Sequence, residues 1–123
     1  DKNARNFFNK LGRAIEVRDE NISKGFWGTS SFMASFYNLY LTTGDWLKSK
    51  GVKKHNAEDY VRELFLALAQ DASNKKKLSL KQLVLESQTP GGTNAYVLKE
   101  LKKKKFYKVQ QKVLNSVFKK FKT

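Results

Sequence analysis

The chain has 123 residues, enough for one domain with at most a fragment of another, and enough to bury about two-thirds of its unfolded surface in a single core. It has no cysteine, which excludes a disulfide framework and thiolate chemistry, and a single histidine, His55, which excludes a histidine-pair metal site. The formal net charge is +14, and 21 of the 25 basic residues are lysine, a balance that favours solubility and long-range attraction of anions over the planar fork arginine offers to base edges.

In chain order, Ala4, Phe7, Phe8 and Leu11 have helical spacing and Gly12 stops them. Ile15 and Val17, two apart, mark a short strand that ends at Asp19-Glu20-Asn21. A lone strand needs a sheet to join, so residues 1–18 read as the tail of a preceding domain, with an extended linker as the plainer alternative. Residues 22–50 read as one long helix with Phe26, Trp27, Phe32, Met33, Phe36, Tyr37, Tyr40, Leu41 and Leu47 on more than one face. Such a helix is a core helix or lies in a subunit interface, and Gly25, Gly28 and Gly44 weaken it. Gly51 closes it, with Val52 placed for the apolar contact that accompanies such a stop.

His55 reads as a solvated loop residue. Asn56 is the expected cap of an amphipathic helix to about Ala72, with Asp59 in its first turn and Ala57, Tyr60, Val61, Leu64, Phe65 and Leu68 along its stripe. Ser79 and Gln82 form a capping-box pattern for a short helix through Leu83, Val84 and Leu85. Then comes Ser87-Gln88-Thr89-Pro90-Gly91-Gly92-Thr93-Asn94, which holds the only proline of the chain and two adjacent glycines. Pro90 fixes its own φ, the glycines reach φ > 0, and Thr93 is placed to cap the helix beyond. Backbone N–H groups at the positive end of a helix suit a carboxylate or phosphate, although an ordinary helix corner has the same composition. Ala95, Leu98 and Leu101 mark the next helix, and Phe106, Val109, Val113, Leu114, Val117, Phe118 and Phe121 the last. The fold class is all-α, with the start of the chain set apart.

A long helix, a helix beginning near Ala57-Glu58-Asp59-Tyr60-Val61, and a Thr89-Pro90-Gly91-Gly92-Thr93-Asn94 corner before two last helices resemble the C-terminal dimerisation domain of the pyrroline-5-carboxylate reductase family. The resemblance covers nearly the whole chain, and Ala14-Ile15-Glu16-Val17 is similar to the end of that family's dinucleotide-binding domain. It implies a division into residues 1–18, the remnant of an NAD(P)-binding domain, and residues 19–123, a helical dimerisation and substrate-binding domain. It further implies a homodimer with Trp27, Phe32, Phe36 and Tyr40 in the interface. The implied reaction is the NADP- or NAD-dependent reduction of a cyclic imine that bears a carboxylate, in the family's setting of proline biosynthesis. Thr89 matches the family's carboxylate-binding serine, Gly91, Gly92 and Thr93 carry over directly, and Asn94 stands where the family has a second, substrate-contacting threonine. That replacement, and Gly28-Thr29-Ser30-Ser31 in place of a Ser-Gly-Pro-Ala-type segment, point to a divergent, reductase-like branch. No strand–turn–helix of the Gly-x-Gly-x-x-Gly kind occurs, so no cofactor is expected on this chain and the chain alone is expected to be inactive.

Two other readings compete. Residues 99–123 contain ten lysines and one acid, which supports a basic nucleic-acid-binding module. Lysines 102–105, however, are consecutive and so spread around a helix, which makes nucleic acid the weaker partner. A structural helical interaction protein with an amphipathic tail is the third reading. No apolar run is long enough for a bilayer and no signal peptide is visible, so the expected location is cytoplasmic.

Overall fold

The computed structural model describes residue 2 and residues 16–121, all helix and connecting turns. The expected first helix and Ile15 of the expected strand lie outside the described residues. Residues 16–19 have no regular structure, and no strand occurs among the described residues. Six helices follow: α1 Glu20–Ser30, α2 Met33–Ser49, α3 Lys54–Asn74, α4 Leu80–Glu86, α5 Thr93–Lys103 and α6 Phe106–Lys120. They fall into two compact units, residues 1–31 with 113–123, and residues 32–112; α6 contributes to both.

In the first unit α1 begins at Asp19, whose carboxylate accepts from the N–H groups of Asn21 at 2.8 Å and Ile22 at 3.2 Å. That satisfies two of the donors a helix start leaves unpaired. The helix expected over residues 22–50 is interrupted at Ser31 and Phe32, not at a glycine. The Thr29 hydroxyl donates to the Phe26 carbonyl at 2.8 Å, Ser30 to Trp27 at 2.6 Å, and the Ser31 N–H to Gly28 at 3.1 Å. Three successive hydroxyl residues thus draw on carbonyls three residues back and compete with the i→i−4 ladder. Gly28 is buried, with Val117 Cγ1 4.0 Å from where its Cβ would be, and Trp27 meets Phe121 edge-on at 5.8 Å.

In the second unit α2 and α3 form a helical hairpin, because the link between them is short. Gly51 takes φ +97; its N–H bonds the Lys48 carbonyl at 3.0 Å, and the Val52 N–H bonds the Leu47 carbonyl at 3.2 Å. This bond pair is a Schellman stop, and Val52 is half-buried. Ala57 and Val61 of α3 are fully buried, with Gly44 of α2 facing Val61. Tyr40 stacks on Phe65 at 4.6 Å and 18°, and Phe36 meets both rings edge-on. Such ring pairs add about 0.5–1.5 kcal/mol beyond the area they bury.

The start of α3 corrects three expectations. The N-cap is Lys53, in extended backbone with no side-chain cap, so Asn56 is the third helical residue and caps nothing. His55 is an exposed residue of the first turn, not of a loop, and Asp59 lies beyond that turn. The helix starts early because Lys53 supplies its carbonyl to Ala57 N–H at 2.9 Å, which needs no side-chain oxygen. The expected box on α4 is present: Gln82 N–H donates to Ser79 Oγ at 3.1 Å and Ser79 N–H to Gln82 Oε1 at 2.9 Å.

Candidate functional site

The corner between α4 and α5 is built by local rules. The last carbonyls of α4 are taken up by Ser87 and Gln88: Val84 accepts from the Ser87 hydroxyl at 2.8 Å and from Gln88 Nε2 at 2.9 Å. Thr89 to Gly92 then make a tight turn closed by Gly92 N–H to the Thr89 carbonyl at 2.8 Å. Pro90 occupies its second position and Gly91, at φ +75, its third, the arrangement a type II turn requires. Gly92 is glycine for another reason. A Cβ there would lie 3.0 Å from the Thr89 carbonyl oxygen and 3.3 Å from Thr89 Cβ.

Gly92, and not Thr93 as expected, is the N-cap of α5; Thr93 is its first helical residue and Asn94 its second. The reason is the turn itself, which delivers Gly92 in extended backbone at φ −82, ψ 168 and leaves no room for a capping side chain. The first hydrogen bond within the helix runs from Tyr96 N–H to the Gly92 carbonyl at 3.1 Å. The N–H groups of Thr93, Asn94 and Ala95 therefore have no acceptor among the described residues, and no side chain caps them. Three aligned donors at the positive end of an 11-residue helix can take up one anionic group, and Thr89, Thr93 and Asn94 are exposed beside them.

The four expected interface residues separate. Tyr40 is half-buried and committed to Phe65, and Phe36, still 42% exposed, packs against the same ring. Phe32 caps α2 and is half-buried, whereas Trp27 stays 55% exposed beside Phe121. What the sequence reading did not single out is the stripe next to them on α2. Met33, Tyr37 and Leu41, four residues apart on one helical face, are 65%, 60% and 54% exposed. Exposed apolar rows of this kind mark contacts with another chain. Their signal in the sequence, an i, i+4, i+8 apolar run, was indistinguishable from core.

Among the described residues no cluster of His, Cys, Asp or Glu could hold a metal ion, and no helix is long and apolar enough to cross a membrane. The paired glycines join two helices, whereas a pyrophosphate cradle follows a strand.

An all-helical fold with an open apolar row on its longest hairpin defines a subunit-contact domain. A family model described as pyrroline-5-carboxylate reductase dimerisation matches residues 20–123, and the chain belongs to that family. No curated protein and no solved structure matches it.

Proposed function

We propose that the chain is the dimerisation and substrate-binding part of a cytoplasmic, NAD(P)H-dependent reductase that acts as a homodimer on the C=N bond of a small carboxylate-bearing imine. The observation that carries this reading is the row of three unpaired N–H groups at Thr93, Asn94 and Ala95, directly after a turn closed by Gly92 N–H on the Thr89 carbonyl. A carboxylate seated there accepts from the amides, with the Thr89 hydroxyl as a further donor at its edge. Asn94 presents a carboxamide where a threonine is usual in the family, so it offers both a donor and an acceptor to the rest of the ligand. No residue of this chain need act as a strong acid or base: binding and orientation are its share of the work. The dinucleotide, held by residues other than those described, supplies the hydride. The second copy docks on the Met33, Tyr37 and Leu41 row, with Trp27, Phe32, Phe36 and Tyr40 as the remaining interface residues named from the sequence.

The direct test is a titration of the isotopically labelled protein with a cyclic five-membered amino acid as the carboxylate probe. Selective shifts of the Thr93, Asn94 and Ala95 amide signals support the reading. Unchanged amides at a probe concentration that saturates the full-length enzyme would refute it.

A further inference from the structure

Lysines 102–105, whose consecutive spacing predicts a spread around one helix, do not lie on one helix. Helix α5 ends at Lys103, and Lys104 and Lys105 form the turn into α6. The turn is closed by Lys105 N–H to the Lys102 carbonyl at 2.9 Å, and Lys105 sits at φ +63, a left-handed conformation that favours glycine. On α5 the spacing of Lys99, Lys102 and Lys103 puts all three on one face, and Lys108 follows on the first turn of α6. Lys99, Lys102, Lys103, Lys104, Lys105 and Lys108 are exposed, and none is in a salt bridge among the described residues. Glu100 is the one acid in this stretch.

Two rings sit in the middle of that charge. Phe106 and Tyr107 are each 40% exposed, with centroids 5.2 Å apart and ring planes at 85°. We propose that the Lys102-Lys103-Lys104-Lys105-Phe106-Tyr107-Lys108 turn binds single-stranded nucleic acid, the lysines tracking phosphates and the two rings each receiving one unstacked base. Cations on a mobile stem suit a phosphodiester backbone without sequence preference, and partly exposed aromatic rings suit any base. An anionic bilayer is the other polyanion such a turn meets. Two rings at right angles favour separate bases over it, since an interfacial helix buries one continuous apolar face.

The test is fluorescence anisotropy of a labelled oligouridine of about 12 nucleotides, a length within the usual site size, titrated with the full-length protein at several salt concentrations. Four to six phosphate contacts give a slope of log K against log salt of about −3 to −4. Lys103→Gln with Lys104→Gln flattens that slope by about 1.4, and Tyr107→Ala weakens binding about 5-fold or more. Lys76→Gln with Lys77→Gln, a lysine pair without neighbouring rings, leaves both unchanged. The lysine variants alter only exposed side chains, so they keep the test sharp if Tyr107→Ala unfolds. The proposal is overturned by any of three results: no binding at about 50 mM salt, where even non-specific contacts hold; equal loss in the control pair; or binding to phosphatidylserine vesicles and not to the oligonucleotide.

Discussion

Gly92→Ala probes the corner most sharply, because the obstacle it creates is backbone. The new Cβ would lie 3.0 Å from the Thr89 carbonyl oxygen and 3.7 Å from its carbon, and a carbonyl in a closed turn cannot swing aside as a side chain would. The turn must open, at about 1–3 kcal/mol for overpacking and about 1 kcal/mol for the lost Gly92 N–H bond to Thr89. Alanine's smaller unfolded-state entropy returns about 0.4–1 kcal/mol, leaving a net loss of about 2 kcal/mol. Gly91→Ala differs in kind: nothing lies within 4 Å of its Cβ, and the cost comes from φ +75 alone. That is about 1–2 kcal/mol less the same entropy gain, a net loss of about 1 kcal/mol. Urea denaturation at fixed protein concentration should rank parent, Gly91→Ala and Gly92→Ala in descending stability. A Gly92→Ala value within about 0.5 kcal/mol of the parent, the range of an ordinary surface change, refutes the reasoning.

Three further outcomes are expected. Lys105→Gly relieves the left-handed strain at φ +63 and should stabilise the protein by about 0.5–1 kcal/mol in the same assay. It should also remove one phosphate contact, flattening the oligonucleotide salt slope by about 0.7. Gly44→Ala places a methyl 4.0 Å from Val61 Cγ2, an ordinary contact, so helix propensity should prevail and thermal unfolding should show a gain of about 0.5–1 kcal/mol. Tyr37→Asp with Leu41→Asp puts two charges on the open row of α2 and should yield a monomer by sedimentation equilibrium at micromolar concentration. A dimer of unchanged affinity would move the subunit contact elsewhere.

What was legible in the sequence was local hydrogen-bond chemistry. Gly51 with Val52 and Ser79 with Gln82 are stops and starts whose donors and acceptors lie within a few residues, and both appear as read. Asn56 and Thr93 have the chemistry of caps but cap nothing, because a helix can begin on extended backbone alone, as it does at Lys53 and Gly92. Glycines are the weak points the sequence offers in the long helix, yet the hydroxyls of Thr29, Ser30 and Ser31 mark its break. The exposed row on α2 was the least legible part. Helix α2 is apolar around most of its surface, and only the position of α3 decides that Tyr40 turns to Phe65 while Met33, Tyr37 and Leu41 remain open.

That open row ties the two halves of the proposed function together. With Ala57 and Val61 the fully buried hydrophobic side chains among the described residues, much of the apolar surface is left for a second copy to cover. Folding and association are then one equilibrium, and stability depends on protomer concentration. A carboxylate bound at α5 adds to the same equilibrium, by about 2.7 kcal/mol at about 100 times its dissociation constant. Ligand should therefore lower the concentration at which the protein dissociates and unfolds. It should do so strongly in the parent and weakly in Gly92→Ala, whose amides no longer converge. An equal shift in both proteins would mean that the anion stabilises the dimer from a place other than the corner.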